Sequence, residues 1–123
     1  MEIEYASEKV KSQCTNLKNA KKFFGGNSLL AISLLARINA LNEAECITDI
    51  IVQKQFRFHN LKKKNGKDLS GYFVIDVKTK KEPWRIIMQP LDEMRVPYDP
   101  CNIHEIAGAI KVVKIIEVSK HYE

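Results

Sequence analysis

The chain predicts an α+β fold, with two N-terminal helices packed on one face of a C-terminal antiparallel β-sheet. Three observations carry that expectation. Apolar residues recur at helical spacing through the first third of the chain, and the period shortens to two beyond Gln55. Between the two halves lie short ambiguous stretches and no long linker, so residues 1–123 read as a single domain.

Met1–Ala6 alternates Ile3 and Tyr5 with Glu2, Glu4 and Ala6, which predicts a short opening strand. Ser7 is the expected N-cap, and Val10, Cys14, Leu17 and Phe24 then form a stripe along a first helix. Gly25-Gly26 ends it, because glycine enters the left-handed region cheaply. A second helix, Leu29–Glu43, opens at Asn27 or Ser28. Leu30, Leu34, Ile38 and Leu41 line one face, while Leu29, Ile32 and Leu35 widen the apolar arc. Such a helix is covered on much of its circumference, either by the first helix and the sheet or in part by a partner protein.

Glu45–Lys54 is ambiguous, with a helical turn at Thr48–Val52. Strands are then expected at Gln55–Leu61, Gly71–Val77, Trp84–Gln89 and Val112–Ser119, the second and third separated by a lysine-rich turn. Pro90, Pro97 and Pro100 mark a loop, and a helical turn follows near His104–Ala109. If Trp84, Ile86 and Met88 face the helices, alternation sends Arg85 to the opposite, polar side.

The charge is segregated. Lys54–Lys81 holds nine basic side chains against Asp68 and Asp76, a local balance of +7, while the remainder carries eleven basic and thirteen acidic, a balance of −2. Such a patch suits a polyanion, and a solvated basic face is the plainer alternative. No apolar run reaches the ~20 residues of a membrane span, and Glu2, Glu4 and Glu8 occupy the place of a signal peptide's basic end, so a cytoplasmic protein is expected. Cys14, Cys46 and Cys101 form no C-x-x-C pair and, even with His59, His104 and His121, show no zinc-finger spacing. Free thiols, no metal and no cofactor are expected.

Phe58-His59-Asn60-Leu61-Lys62, Gly71-Tyr72-Phe73-Val74-Ile75, Trp84-Arg85-Ile86-Ile87 and the closing Ser119-Lys120-His121-Tyr122 stand in a telling order. Together they resemble the HigB-like branch of the RelE/ParE toxin superfamily, and the resemblance covers nearly the whole chain. It implies a RelE-like fold and a type II toxin that arrests growth by cleaving translated mRNA on the ribosome without a metal. It also implies a cognate antitoxin of HigA-like, helix-turn-helix type. By position, Lys62 matches the family's catalytic lysine and Arg85 its phosphate-facing arginine. The family's Asp-Tyr-His ending is replaced here by His121-Tyr122 without the aspartate, which leaves open which ring takes the histidine's place.

The residue types suit that chemistry. Metal-free cleavage uses the neighbouring 2′-hydroxyl as nucleophile. A base must take its proton, a cation must stabilise the phosphorane, and an acid must protonate the leaving 5′-oxygen. A guanidinium can donate two parallel hydrogen bonds to nonbridging oxygens, and imidazole exchanges protons near neutral pH. His121 is therefore expected as acid or base, with Arg85 and Lys62 as phosphate stabilisers and Tyr122 in support. Arg57, His59, Lys63, Lys64, Lys67 and Lys120 are expected to bind RNA. On this reading Arg85→Ala abolishes growth arrest in a chain that still folds. A ParE-like toxin that blocks DNA gyrase without cutting RNA is the alternative on the same scaffold, and a noncatalytic nucleic-acid-binding module is a third.

Overall fold

The computed structural model describes residues 1–61 and 69–121. Helices and a five-stranded mixed sheet make the α+β architecture. In chain order the elements are β1 (Glu2–Tyr5), α1 (Glu8–Thr15), α2 (Leu17–Phe23), α3 (Ser28–Glu43), α4 (Thr48–Ile51) and β2 (His59–Asn60). There follow β3 (Phe73–Asp76), β4 (Arg85–Leu91), α5 (Ile103–Ile106) and β5 (Val112–Ser119). The sheet order is β1-β5-β4-β3-β2.

Two features correct the expected arrangement. β1 pairs with β5 in parallel, Ile3 opposite Val113, so the sheet is antiparallel only from β5 to β2. Helices are not confined to the N-terminal end either, since the helical turn expected near His104–Ala109 forms α5 and a 3-10 turn at Ala107–Ala109, between β4 and β5. Local periodicity locates a strand but does not name its neighbour, and the intervening helices let the first strand run alongside the last.

The predicted first helix is two helices. Asn16 adopts an extended conformation, and its side chain accepts from the Asn19 N–H, so it ends α1 and caps α2. Asparagine offers the backbone this alternative to continuing a helix. Gly25 (φ 64°) and Gly26 (φ 94°) then turn the chain as expected, and Asn27 caps α3 through the Leu30 N–H.

The segment expected as a strand from Gln55 is mostly a tight turn. Lys54–Phe56 is 3-10, Arg57 is left-handed (φ 51°), and only His59–Asn60 pairs with β3. Pro90, expected in a loop, sits inside β4 opposite Val113. The β3 ladder reaches only Met88, so the missing proline N–H breaks no pair.

The main core lies between the helices and one sheet face. Leu30, Leu34, Ile38 and Leu41 of α3 meet Phe73, Ile75, Ile86, Met88, Val113, Ile115 and Val118. Burial of this kind stabilises by roughly 25 cal/mol per Å² of apolar surface. Trp84 lies at its rim, edge-on to Phe23 and Phe24 at centroid distances of 5.3 and 5.0 Å. Cys14 is buried and Cys46 and Cys101 half-buried, all as free thiols. No helix among the described residues is long and apolar enough to cross a membrane.

Candidate functional site

Strand parity sorts the sheet face turned away from the helices. Val74 and Ile87 occupy its middle, and Leu61, Leu69, Tyr72 and Ile116 pack on them as a second, smaller apolar cluster. This face is therefore not uniformly polar, as alternation alone suggested. The buried polar residues among those described, Asp76, Arg85 and Ser119, stand side by side at one end on β3, β4 and β5, while half-buried His59 and Glu117 pair with Val74 and Ile87 in the middle.

Arg85 is on the predicted face, but its guanidinium is not presented to solvent. The residue is 6% exposed. Its Nη1 donates to the carbonyls of Thr79 (3.4 Å), Trp84 (3.0 Å) and Glu82, and Nη2 donates to Lys80 (3.0 Å). Nε lies 3.2 Å from Asp76 Oδ1, an ion pair without an aligned hydrogen bond. Arg85 thus fastens the β3–β4 turn from within. A buried guanidinium needs acceptors, and the turn and Asp76 supply them, so Arg85 meets backbone carbonyls and a carboxylate rather than open solvent.

Asp76 is the residue that the sequence reading missed. It is 1% exposed and holds two arginines. Besides Arg85, Arg57 forks onto it, Nε to Oδ2 at 2.9 Å and Nη2 to Oδ1 at 3.1 Å. Arg57 keeps 34% of its side chain accessible, so one guanidinium of the cluster borders solvent. The signal for Asp76 was present: a carboxylate in the apolar run Phe73-Val74-Ile75-Asp76-Val77 demands a cation at a facing position. Arg37 completes the cluster's frame from α3, donating to the backbone carbonyls of Asp76 (3.1 Å) and Lys78 (3.0 Å) and lying over the Phe56 ring.

The other expected residues separate. His59 is half-buried on β2, its Nδ1 2.6 Å from the Arg57 carbonyl. His121 is exposed two residues past Ser119, and its backbone N–H donates to the Ser119 hydroxyl. Since Ser119 pairs with Arg85, the His121 backbone lies within about 7 Å of that register position. Lys120 sits over the Trp84 ring at 5.7 Å, toward the helix side rather than beside Arg85. Lys62, Lys63, Lys64, Lys67 and Tyr122 lie outside the described residues. Among the described residues, no group of three or more His, Cys, Asp or Glu could hold a metal ion.

No family model, curated protein or solved structure matches this chain.

Proposed function

We propose that the chain is the toxin of a type II toxin–antitoxin pair, a cytoplasmic endoribonuclease that cuts translated mRNA on the ribosome without a metal. The observation that carries this reading is the polar end of the open sheet face. There a two-arginine, one-carboxylate cluster, net cationic, adjoins the strand end that leads into His121. Arg57 and Asp76 belong to the stretch Lys54–Lys81, whose local charge balance is +7 against −2 for the remainder.

In this reading the 2′-oxygen attacks the phosphorus and the 5′-oxygen leaves. The 2′-proton passes to a base and the leaving oxygen receives one from an acid, which yields a 2′,3′-cyclic phosphate and a 5′-hydroxyl. His121 serves one of these proton transfers. Lys62 and Tyr122 keep the roles that the resemblance implies. Arg57, half-exposed, meets the phosphate, while Arg85 is a positioning residue that holds the turn and the Asp76 carboxylate. The cognate antitoxin is a HigA-like helix-turn-helix protein.

The buried engagement of Arg85 favours a second reading, a ParE-like toxin that inhibits gyrase by protein contact and has no need of a free guanidinium. Mapping 5′ ends of ribosome-bound mRNA after induction separates the two. New 5′-hydroxyl ends that His121→Ala abolishes support the nuclease. Intact message with an induced DNA-damage response overturns it.

A further inference from the structure

We propose that the outer face of α3 is a docking surface for an acidic amphipathic helix of a partner protein. The inward face of α3 is fully used, with Leu30, Ala31, Leu34, Ile38 and Leu41 buried. Opposite them stand Leu29, Ile32 and Ala36, all exposed and spaced i, i+3 and i+7. Leu29 is 65% and Ile32 55% exposed. A solitary exposed leucine is ordinary, but three apolar side chains on one stripe reproduce the anchor spacing by which helices seat on one another. The outer face of a surface helix is normally charged. Between Ser28 and Asn42 the one charged residue is Arg37, and it is folded onto the β3–β4 backbone.

Charge selects the occupant. No acidic residue occurs from Lys9 to Asn42. The exposed Lys21 and Lys22, in the last turn of α2, precede the glycine turn that delivers Leu29. Ser33 Oγ donates to the Val77 carbonyl at 2.6 Å and Arg37 to that of Lys78, which brings the turn bearing exposed Lys78, Lys80 and Lys81 alongside α3. Lysines thus stand in the turn held beside the stripe and in the helix that leads into it. A second copy would set these lysines against their own kind, whereas a helix with carboxylates beside its apolar seam pairs with them. This surface lies on the helix side of the sheet and does not depend on RNA cleavage.

The test uses the full chain and a fluorescein-labelled synthetic helix about three heptads long, with Leu at a and d and Glu at e and g. Anisotropy should show saturable binding that weakens about tenfold or more in Leu29→Ser/Ile32→Ser and in Lys21→Glu/Lys22→Glu/Lys78→Glu. Both variants should melt like the parent, since the substituted side chains are exposed. The same peptide with Lys at e and g should not bind. Absence of binding to the Glu peptide overturns the proposal, as does equal binding by the serine variant. Self-association of the chain that Ile32→Ser relieves would assign the stripe to a second copy and overturn it as well.

Discussion

Asp76 and Arg85 face each other across the β3–β4 ladder as a buried ion pair, Nε 3.2 Å from Oδ1, with side chains 2% and 7% exposed. The pair joins what would otherwise be two separate matters, the stability of a hairpin and the electrostatics of a candidate site. Its two members are not equivalent. Arg85 has four backbone carbonyls as well as the carboxylate, whereas Asp76 answers to two arginines.

Removing either partner should destabilise the fold, and Asp76→Ala should cost more. Breaking a buried pair typically costs about 3–5 kcal/mol, because a charge is left behind in a poorly solvating interior. Asp76→Ala falls in that range. Arg85→Ala leaves Asp76 with Arg57 and should cost less, about 2–3 kcal/mol, mostly from orphaned carbonyls. Equilibrium urea unfolding measures both. Unchanged stability in Arg85→Ala would show that its engagement in the turn is not structural. The same figures mean that loss of toxicity in Arg85→Ala reports folding as much as chemistry.

His121→Ala should behave in the opposite way. The side chain is exposed near the end of β5, so the variant should keep the parent's unfolding midpoint. If His121 transfers a proton in catalysis, cleavage should fall by about 10²-fold or more. Toxicity and 5′-end yield matching the parent would remove His121 from the mechanism.

Alkaline pH should destabilise the protein through two groups next to each other in the core. Burial pushes the Cys14 thiol up to about 12 from 9.0. The Tyr5 phenol also rises to about 12 from 10.0, chiefly by burial and then by the nearby Cys14. Both groups are neutral when protonated and keep their protons longer when folded. Between about pH 9 and 12 the unfolded chain therefore binds fewer protons, and stability falls as pH rises through that window. Thermal melts across it should show the decline, and the double variant Tyr5→Phe/Cys14→Ala should flatten it. An unchanged slope in that variant would refute the assignment.

Gly25→Ala should cost about 1 kcal/mol although nothing stands where the methyl would go. Beyond Gly25 and its two chain neighbours no atom lies within 4 Å of the added Cβ, so the penalty is that of a left-handed backbone, φ 64°. Gly25→Asn should recover part of it, because asparagine tolerates that region better. Equal stability of alanine and glycine at this position would mean the turn relaxes freely.

The sequence by itself determined what depends on neighbours in the chain. Spacing located α3, the β3 and β4 cores and the glycine turn, and parity put Arg85 on the face away from the helices. It also made Leu29 and Ile32 surplus to a single inward stripe. Tertiary structure decided what depends on partners distant in sequence. Asp76 captures Arg85 through strand pairing and Arg57 from the turn before β2, and β1 joins β5 across the whole chain. The outer stripe of α3 stays uncovered, with Leu29 65% and Ile32 55% exposed. Periodicity records which way a side chain points. Whether that side chain meets solvent, a carboxylate or a row of carbonyls is settled only when strands acquire neighbours, since an ion pair forms wherever desolvated charges come within reach.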